Sequence, residues 1–146
     1  MTNKGDTVDV RLERVIGDLP AGFEAMRAEA RTEGYRMLDT LAAEWATATA
    51  RFDRDGEALL TAYADGVLVG IGGLTQEPAD PGALRLRRFY VRKSIRGDGV
   101  GRALATALLA KASRPVTVNA AAGSEEFWEA LGFAPDRRDG HTHILA

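Results

Sequence analysis

Near the N-terminus, apolar residues alternate with charged ones at Val8, Val10 and Leu12. This two-residue period predicts a half-buried first strand that ends near Gly17. The spacing then becomes that of a helix over residues 20–33, with Pro20 suited to the first turn and Gly34 to the C-terminal cap. The chain is therefore predicted to begin with a strand followed by a helix.

A second helix is predicted directly afterwards, because apolar residues recur three and four positions apart at Leu38, Leu41, Trp45 and Ala48. The carboxylates of these two helices, Glu29, Glu33 and Glu44, admit two interpretations. Carboxylates usually lie on the solvated surface, which is the interpretation we prefer. The alternative is that they line a cleft.

Two apolar runs follow at residues 58–64 and 67–74, and the Asp65-Gly66 turn between them predicts a β-hairpin. The second run is dense in glycine, at Gly70, Gly72 and Gly73. Glycine weakens the packing of a strand but leaves room for another backbone or a ligand alongside. Residues 76–82, which include two prolines, are predicted to be a surface loop.

The alternation of apolar residues breaks within the next predicted strand, residues 84–91. Leu84 and Leu86 share one face, and the apolar residues at 89 and 91 join that face only if one extra residue is inserted at Arg87-Arg88. This spacing predicts a β-bulge, which bends a strand and leaves backbone groups unpaired. The alternative is a simple strand end with two exposed arginines.

A glycine-rich loop comes next, since residues 96–101 read Arg-Gly-Asp-Gly-Val-Gly. A helix is predicted to begin within it, on the spacing of Val100, Leu104, Ala107, Leu108 and Lys111. Glycine lets a backbone approach a phosphate closely, and the free N–H groups of a helix N-terminus carry a partial positive charge. The loop therefore predicts an anion site for a phosphorylated ligand.

The rest of the chain is predicted to contain one strand, one helix and a final hairpin. Pro115 ends the preceding helix, and residues 116–118 are predicted to be a short buried strand reached by a right-handed parallel crossover. Ser124 is predicted to cap a last helix that ends at Gly132. Residues 133–137 and 141–145 are predicted to form a closing hairpin.

Composition limits the chemistry that this chain can perform. Its 146 residues suit one domain, and a net charge of -2 gives no general attraction to nucleic acid or to an anionic membrane. Without cysteine there is no thiol nucleophile or disulfide, and with only His141 and His143 as imidazoles a catalytic metal is not expected. The polar N-terminus lacks an apolar signal core, so a cytoplasmic location is expected.

Three stretches together resemble the GNAT N-acetyltransferase superfamily. Residues 86–91 (Leu-Arg-Arg-Phe-Tyr-Val) are similar to its fourth strand, and Arg96-x-x-Gly99-x-Gly101 is similar to its acetyl-CoA pyrophosphate loop. Residues 126–133 (Glu-Phe-Trp-Glu-Ala-Leu-Gly-Phe) are similar to its C-terminal helix. The glycine loop alone is weak evidence, but the order and spacing of all three make the resemblance specific.

The resemblance implies one α/β domain over residues 1–146, with helices flanking a mixed sheet that splays open between the fourth and fifth strands. Acetyl-CoA would lie in that opening as co-substrate, and no metal would be needed. The resemblance assigns the cofactor to Phe89, Tyr90, Val91, Arg96, Gly97, Asp98, Gly99, Val100, Gly101, Arg102 and Trp128. The activity implied is direct acetyl transfer to the primary amine of a small molecule or peptide, by a monomer or a homodimer.

Trp128 departs from the family pattern, because many members carry at that position a tyrosine that is thought to protonate the leaving CoA thiolate. An indole donates a hydrogen bond but is no usable acid, so Trp128 is expected either to contact the thiol end or to be core. Tyr90 is the candidate replacement acid. Candidates for a base that receives the amine proton are Glu29, Glu33, Glu44 and His143, besides ordered water.

Four other interpretations of the sequence are possible. A dinucleotide-binding domain needs Gly-x-Gly-x-x-Gly early in the chain, and a P-loop needs Gly-Lys-Ser/Thr; neither pattern is present. The tripeptide Arg96-Gly97-Asp98 also spells an adhesion motif, which we attribute to coincidence. The alternative from a different class is a CoA-binding sensor with little or no turnover, suggested by Trp128 and by the lack of an evident base.

Overall fold

A computed structural model describes residues 9–78, 80, 82–138 and 140–146. In this part of the chain, one sheet contains seven strands: β1 (Arg11–Arg14), β2 (Ala58–Ala64), β3 (Val67–Gln76), β4 (Leu84–Val91), β5 (Val116–Val118), β6 (Ala134–Arg138) and β7 (His141–Leu145). Their order across the sheet is β1-β2-β3-β4-β5-β7-β6. The β4–β5 pair is parallel and the other pairs are antiparallel, so the predicted mixed sheet and the parallel β4–β5 pairing are confirmed.

Helices cover both faces of the sheet: α1 (Phe23–Thr32), α2 (Met37–Ala46), α3 (Val100–Lys111) and α4 (Glu125–Ala130). Successive residues of β2 point to opposite faces and separate two apolar clusters. Leu60 and Ala62 pack in the cluster that includes α3 and Trp128 of α4. Leu59 packs in the cluster that includes α1, α2 and Tyr90 of β4. The helices flanking the sheet are thus confirmed.

Several predicted boundaries differ from the observed ones. The first helix starts at Phe23 instead of Pro20, since Gly22 precedes it in the left-handed conformation with φ 89°. The second helix ends at Ala46, so Ala48 is exposed beyond it and does not share the buried stripe. Val8 of the predicted first strand lies outside the described residues. Ser124 occupies the N-cap of α4, but its hydroxyl donates to the Ala121 carbonyl at 2.7 Å and caps no helical N–H.

The predicted bulge lies in β4, one residue further along than its predicted position. Ile71 pairs with Tyr90 and Gly73 pairs with Arg87, so Arg88 and Phe89 together oppose the single residue Gly72. Arg88 has a φ of 58°, a left-handed value that a bulge of this kind requires and that few residues other than glycine adopt. The bulge returns Phe89 to the face of Leu84 and Leu86, as the broken period predicted.

The sheet opens beyond this bulge. Pairing between β4 and β5 runs from Leu84↔Val116 to Leu86↔Val118 and then stops. The rest of β4, up to Val91, pairs only with β3 on its other side. The splay predicted between the fourth and fifth strands is therefore present, and it leaves the end of one β4 edge without a neighbouring strand.

The glycines of β3 make room for side chains of this same chain. A Cβ added at Gly72 would lie 2.7 Å from Cδ2 of Phe89, and one added at Gly73 would lie closer still to the ring of Phe52. Phe89 belongs to the cluster of α3 and Phe52 to the cluster of α1 and α2. The space predicted for another backbone or a ligand is filled by one aromatic ring on each face of the sheet.

Candidate active site

A cleft of about 650 Å³ lies where β4 and β5 separate. Its lining residues come from β4, the glycine loop, the segment after β5 and the start of α4, and they include Phe89, Gly99, Arg102, Asn119, Phe127 and Trp128. The volume is within the usual range of small-molecule sites. The unpaired edge of β4 and the N-terminus of α3 therefore meet in one cavity.

The glycine loop offers free backbone donors to this cleft. Gly97 and Gly99 have φ values of 88° and 89°, which a residue with a side chain adopts only with strain. The first bond of α3 runs from the Ala103 N–H to the Gly99 carbonyl at 3.0 Å. Among the described residues, the N–H groups of residues 99–102 donate to no backbone carbonyl, as expected for the start of a helix.

Most residues expected at the cofactor line this cleft, namely Phe89, Tyr90, Val91, Arg96, Gly97, Gly99, Gly101, Arg102 and Trp128. Asp98 and Val100 are not among them, and Val100 is buried in the core beneath the loop. The N–H groups of Arg96 and Asp98 already donate to the carbonyls of Lys93 and Ile95, at 3.4 and 3.3 Å. The free donors are thus concentrated at the start of α3.

The side chain of Arg96 turns away from the loop. Its Nε donates to the Val91 carbonyl at 2.9 Å, and its terminal nitrogens donate to both oxygens of Glu33 at 2.7 and 2.8 Å. Hydrogen bonds from this guanidinium, followed by one from Tyr90, hold the pKa of Glu33 below its usual value. Arg96 therefore fastens the end of β4 to α1.

The Tyr90 hydroxyl lies between two carboxylates. It is hydrogen-bonded to Oε2 of Glu33, and Oε2 of Glu29 lies 3.0 Å from it. A phenol has one proton, which it donates to one of these oxygens at a time. Burial, the bond to Glu33 and the bond to Glu29 together raise the pKa of Tyr90 far above its usual value. The hydroxyl consequently keeps its proton at neutral pH and is a weak acid.

Trp128 lies in an aromatic cluster at the edge of the cleft. Its ring is 5.1 Å from that of Phe89, 4.8 Å from that of Phe127 and 5.5 Å from that of Phe133, in each case edge to face. Only 4% of the residue is exposed, yet it lines the cleft. No hydrogen bond joins its indole N–H to another described residue. Trp128 is thus both a core residue and part of the cleft wall.

The residues proposed as bases lie outside the cleft lining. Glu29 and Glu33 line a separate shallow depression beside Lys93. Glu44 is held by Arg88 through two bonds of 2.9 Å. Glu33 and Glu44 are thus half-buried and paired with arginines, whereas the preferred interpretation placed them on the solvated surface.

The histidines also have their partners outside the cleft. His143 is buried, with Nε2 2.9 Å from Glu129 and Nδ1 2.7 Å from the Thr142 hydroxyl. Nε2 of His141 lies 3.0 Å from Asp136. Within the described part of the chain, no acidic residue or histidine lines the cleft.

Several residues of the cleft wall were not predicted from the sequence. Asn119 and residues 121–124 follow β5, and Tyr35 and Met37 lie at the junction of α1 and α2. One signal was available for the first group. The carboxyl ends of neighbouring parallel strands meet at one edge of a sheet, and ligands bind in the crevice there. The second group carried no signal, because its position depends on how the helices pack.

Two further properties of the described residues concern metal ions and membranes. Among residues 9–78, 80, 82–138 and 140–146, no three acidic or histidine side chains are grouped so that they could hold a metal ion. In the same residues, no helix has the length and apolar character that a bilayer span requires. The side chains that line the cleft include arginines, aromatic rings, Asn119 and Ser124.

Comparison with known proteins identifies the fold and the family. The structure resembles a protein of Exiguobacterium sp. 255-15 assigned as an acetyltransferase (23% identity, TM-score 0.86, 94% of this chain and 93% of that one). It also resembles a protein of Desulfovibrio desulfuricans assigned to the GNAT family (19% identity, TM-score 0.69, 93% of this chain and 96% of that one). A third similar structure is an acetyltransferase from Streptococcus agalactiae 2603 (14% identity, TM-score 0.69, 92% of this chain and 95% of that one).

A search of curated proteins found no match. The family model described as "Acetyltransferase (GNAT) domain" matches residues 26–143, a range that includes most of α1, all of α2, the bulged strand, the glycine loop and α4. Acetyl-CoA is the general co-substrate of that family, and a small molecule or a peptide is the general acceptor. The chain belongs to the GNAT acetyltransferase family.

Proposed function

We propose that this protein transfers an acetyl group from acetyl-CoA to the primary amine of an acceptor, by direct attack within a ternary complex. One observation carries the proposal: the unpaired edge of β4 and the free N–H groups of α3 line the same cleft. The first can hold a thioester and the second a pyrophosphate. A single acetyl-CoA molecule carries both groups, so both must bind in one cleft.

The pyrophosphate of CoA is assigned to the loop that contains Gly97 and Gly99. Positive φ values turn this backbone into the start of α3, where the N–H groups of residues 99–102 have no backbone acceptor and can donate to an anion. Arg102 adds a side-chain cation at the same wall of the cleft. Arg96 contributes through its position in the loop and not through its guanidinium, which is bound to Glu33.

The thioester is assigned to the edge of β4 beyond the bulge, at residues 89–91. Since β5 does not pair with this edge, its backbone groups are open to the cleft. A backbone N–H there stabilises the oxyanion that forms as the amine attacks, and one such donor commonly contributes about 3 to 4 kcal/mol. The carbonyl of Val91 is already bonded to Arg96, so it is partly occupied as an acceptor.

The groups that line the cleft favour transfer of the amine proton to water. The ammonium form of the acceptor must lose a proton before it attacks, and no described carboxylate or imidazole lines the cleft. Glu29 and Glu33 do not line the cleft; both are hydrogen-bonded to the Tyr90 hydroxyl, and Glu33 also to the Arg96 guanidinium. The raised pKa of Tyr90 makes it a poor acid for the thiolate. We therefore assign to Trp128 a packing contact with the thiol end of the cofactor. The leaving group is then CoA thiolate, which departs without being protonated by the protein.

Purified protein, acetyl-CoA and a panel of primary amines test the proposal, with release of CoA thiol as the readout. Amine-dependent release with intersecting initial-rate patterns is expected of a ternary-complex mechanism. A parallel pattern would indicate an acetyl-enzyme instead. Tight binding of CoA without release in the presence of any amine would favour the sensor alternative. A cytoplasmic location and a homodimer stay predictions, to be checked by fractionation and by light scattering.

A further inference from the structure

Three arginines of β4 line the cleft, and two of them are neutralised. Arg85 donates to both oxygens of buried Glu77, at 2.6 and 2.8 Å. Arg88 donates to both oxygens of Glu44, at 2.9 and 2.9 Å. Each pair is a bidentate guanidinium–carboxylate contact, the strongest form of this interaction. Arg85 and Arg88 are therefore each paired with a carboxylate.

Arg87 lies between these two pairs and has no partner of its own. It makes no hydrogen bond and no ion pair to any other described residue, and its Nε is buried with no acceptor. Its terminal nitrogens are not among the buried atoms without a partner, so they are accessible, and Arg87 is one of the residues that line the cleft. This part of the wall consequently carries one more positive charge than negative charge.

A partly buried guanidinium without an acceptor costs free energy unless a ligand supplies the missing negative charge. Burial, followed by the charges of Arg88 and Arg85, lowers the pKa of Arg87. A guanidinium nevertheless stays protonated at neutral pH, so the positive charge is present and underpaired. An anion placed against the terminal nitrogens would satisfy both the charge and the free donors.

The position of Arg87 decides which ligand supplies that anion. Leu86 and Phe89 point into the cluster of α3, where Trp128 also lies. Arg87 alternates with Leu86 and so points to the opposite face, the side of α2, where Glu44 holds Arg88. The phosphates of CoA are assigned to the N-terminus of α3. Arg87 is therefore placed to meet the acceptor and not the phosphates of the cofactor.

We propose that Arg87 binds an anionic group of the acceptor, a carboxylate or a phosphate, so that this protein acetylates amines that also carry a negative charge. The inference rests on the proposed acetyl transfer and specifies its substrate class. The same surplus charge acts against acceptors with a second cationic group, because a like charge in a partly desolvated wall is repelled. Polyamines and lysine-rich peptides should accordingly be poor substrates.

Two matched pairs of amines test this proposal in the acetyl-transfer assay. Propylamine is compared with β-alanine, and ethanolamine with O-phosphoethanolamine, so each pair differs mainly by its anion. The wild type should show the higher kcat/KM for the anionic member of at least one pair. A preference for β-alanine identifies a carboxylate ligand, and one for O-phosphoethanolamine identifies a phosphate. Equal efficiency within both pairs would overturn the inference and leave acetyl transfer intact.

Variants of Arg87 separate recognition from structure. Arg87→Gln should lower kcat/KM for the preferred anionic amine about 10- to 100-fold, the worth of a charged hydrogen bond. It should leave the neutral amines and the KM for acetyl-CoA unchanged. Arg87→Lys should restore part of the loss, and Arg137→Gln, at an exposed arginine of β6, is the charge-matched control. An equal loss for charged and neutral amines in Arg87→Gln would mean a structural role and refute the proposal.

Two safeguards keep the outcomes distinct. If Arg87→Gln does not fold, Arg87→Met, which keeps the apolar stem, replaces it in the same comparison. If no amine causes thiol release, the proposed function fails, and the anion site is then tested by calorimetry with β-alanine and O-phosphoethanolamine added to CoA-loaded protein. Binding by the wild type that is lost in Arg87→Gln would support the site, and no binding by the wild type would overturn it.

Discussion

Gly72 and Gly73 offer a test of how the β3 strand shapes the cleft. An alanine Cβ at Gly72 would lie 2.7 Å from Cδ2 and 3.1 Å from Cε2 of Phe89. Carbon atoms pack at about 3.5 to 4.0 Å, so the Phe89 ring must move by roughly 1 Å. Gly73→Ala is the matched control, because its Cβ meets the ring of Phe52 on the other face of the sheet.

Both variants should lose stability, but only one should lose cofactor affinity. Overpacking of this kind costs about 1 to 3 kcal/mol, partly offset by the smaller entropy of an unfolded chain that carries alanine. A net loss of about 1 to 2 kcal/mol corresponds to a fall in Tm of roughly 3 to 8 °C in a chain of this size. Gly72→Ala also displaces Phe89, which lines the cleft and packs on Trp128. We expect it to raise the KM for acetyl-CoA, and Gly73→Ala to leave it unchanged.

Calorimetry gives the two Tm values, and titration with CoA well below Tm gives the affinities. Equal affinity in wild type and Gly72→Ala would refute the reasoning that β3 positions Phe89 for the cofactor. An equal loss of affinity in Gly73→Ala would do the same, because it would attribute the effect to general destabilisation. The two glycines are adjacent in sequence, so the comparison isolates the face of the sheet that each one serves.

Three further predictions concern single groups of the site. Replacing Gly99, with its φ of 89°, or Gly101 by leucine should block the approach of the pyrophosphate, and unchanged CoA affinity in both variants would remove the anion site from this loop. Glu33, whose pKa is lowered by Arg96, stabilises the fold above the unfolded value of about 4.3 and loses that effect as the pH falls through the folded pKa, so the unfolding free energies of wild type and Glu33→Gln should converge in acid. Trp128→Phe should lower the rate modestly without altering the pH dependence of kcat, whereas Trp128→Tyr should gain activity or add an alkaline limb near the phenol pKa of about 10; full activity per folded molecule in Trp128→Ala would make this residue purely core.

Local patterns were sufficient wherever one face of an element is buried. The hairpin at Asp65-Gly66, the helix that begins at Val100 and the broken period of β4 each follow from the spacing of apolar residues, since burial of one face fixes which residues share it. The bulge was predicted to within one residue because Phe89 must rejoin the face of Leu86. The resemblance to the GNAT superfamily also rested on local sequence, and the family match over residues 26–143 confirmed it.

Contacts between distant residues were beyond the reach of these patterns. Glu77 was predicted to lie in a surface loop, yet it is buried against Arg85 and accepts a hydrogen bond from the Thr117 hydroxyl at 2.7 Å. A single sequence does not reveal which arginine a carboxylate meets, because a periodic pattern records the face of an element and not its partner. The same limit applied to Glu33 and Arg96, which are 63 residues apart.

The sequence by itself determined that this chain forms a bulged strand, a glycine loop and a helix in succession, because each is specified by neighbouring residues. Only the tertiary structure decided which charges of the cleft are paired. Arg85, Arg87 and Arg88 look alike in the sequence, and a carboxylate from the loop after β3 and another from α2 neutralise the first and the last. The charge of Arg87 stays unpaired among the described residues. Side-chain pairing depends on how helices and strands pack, and that packing is decided only when the whole chain has folded.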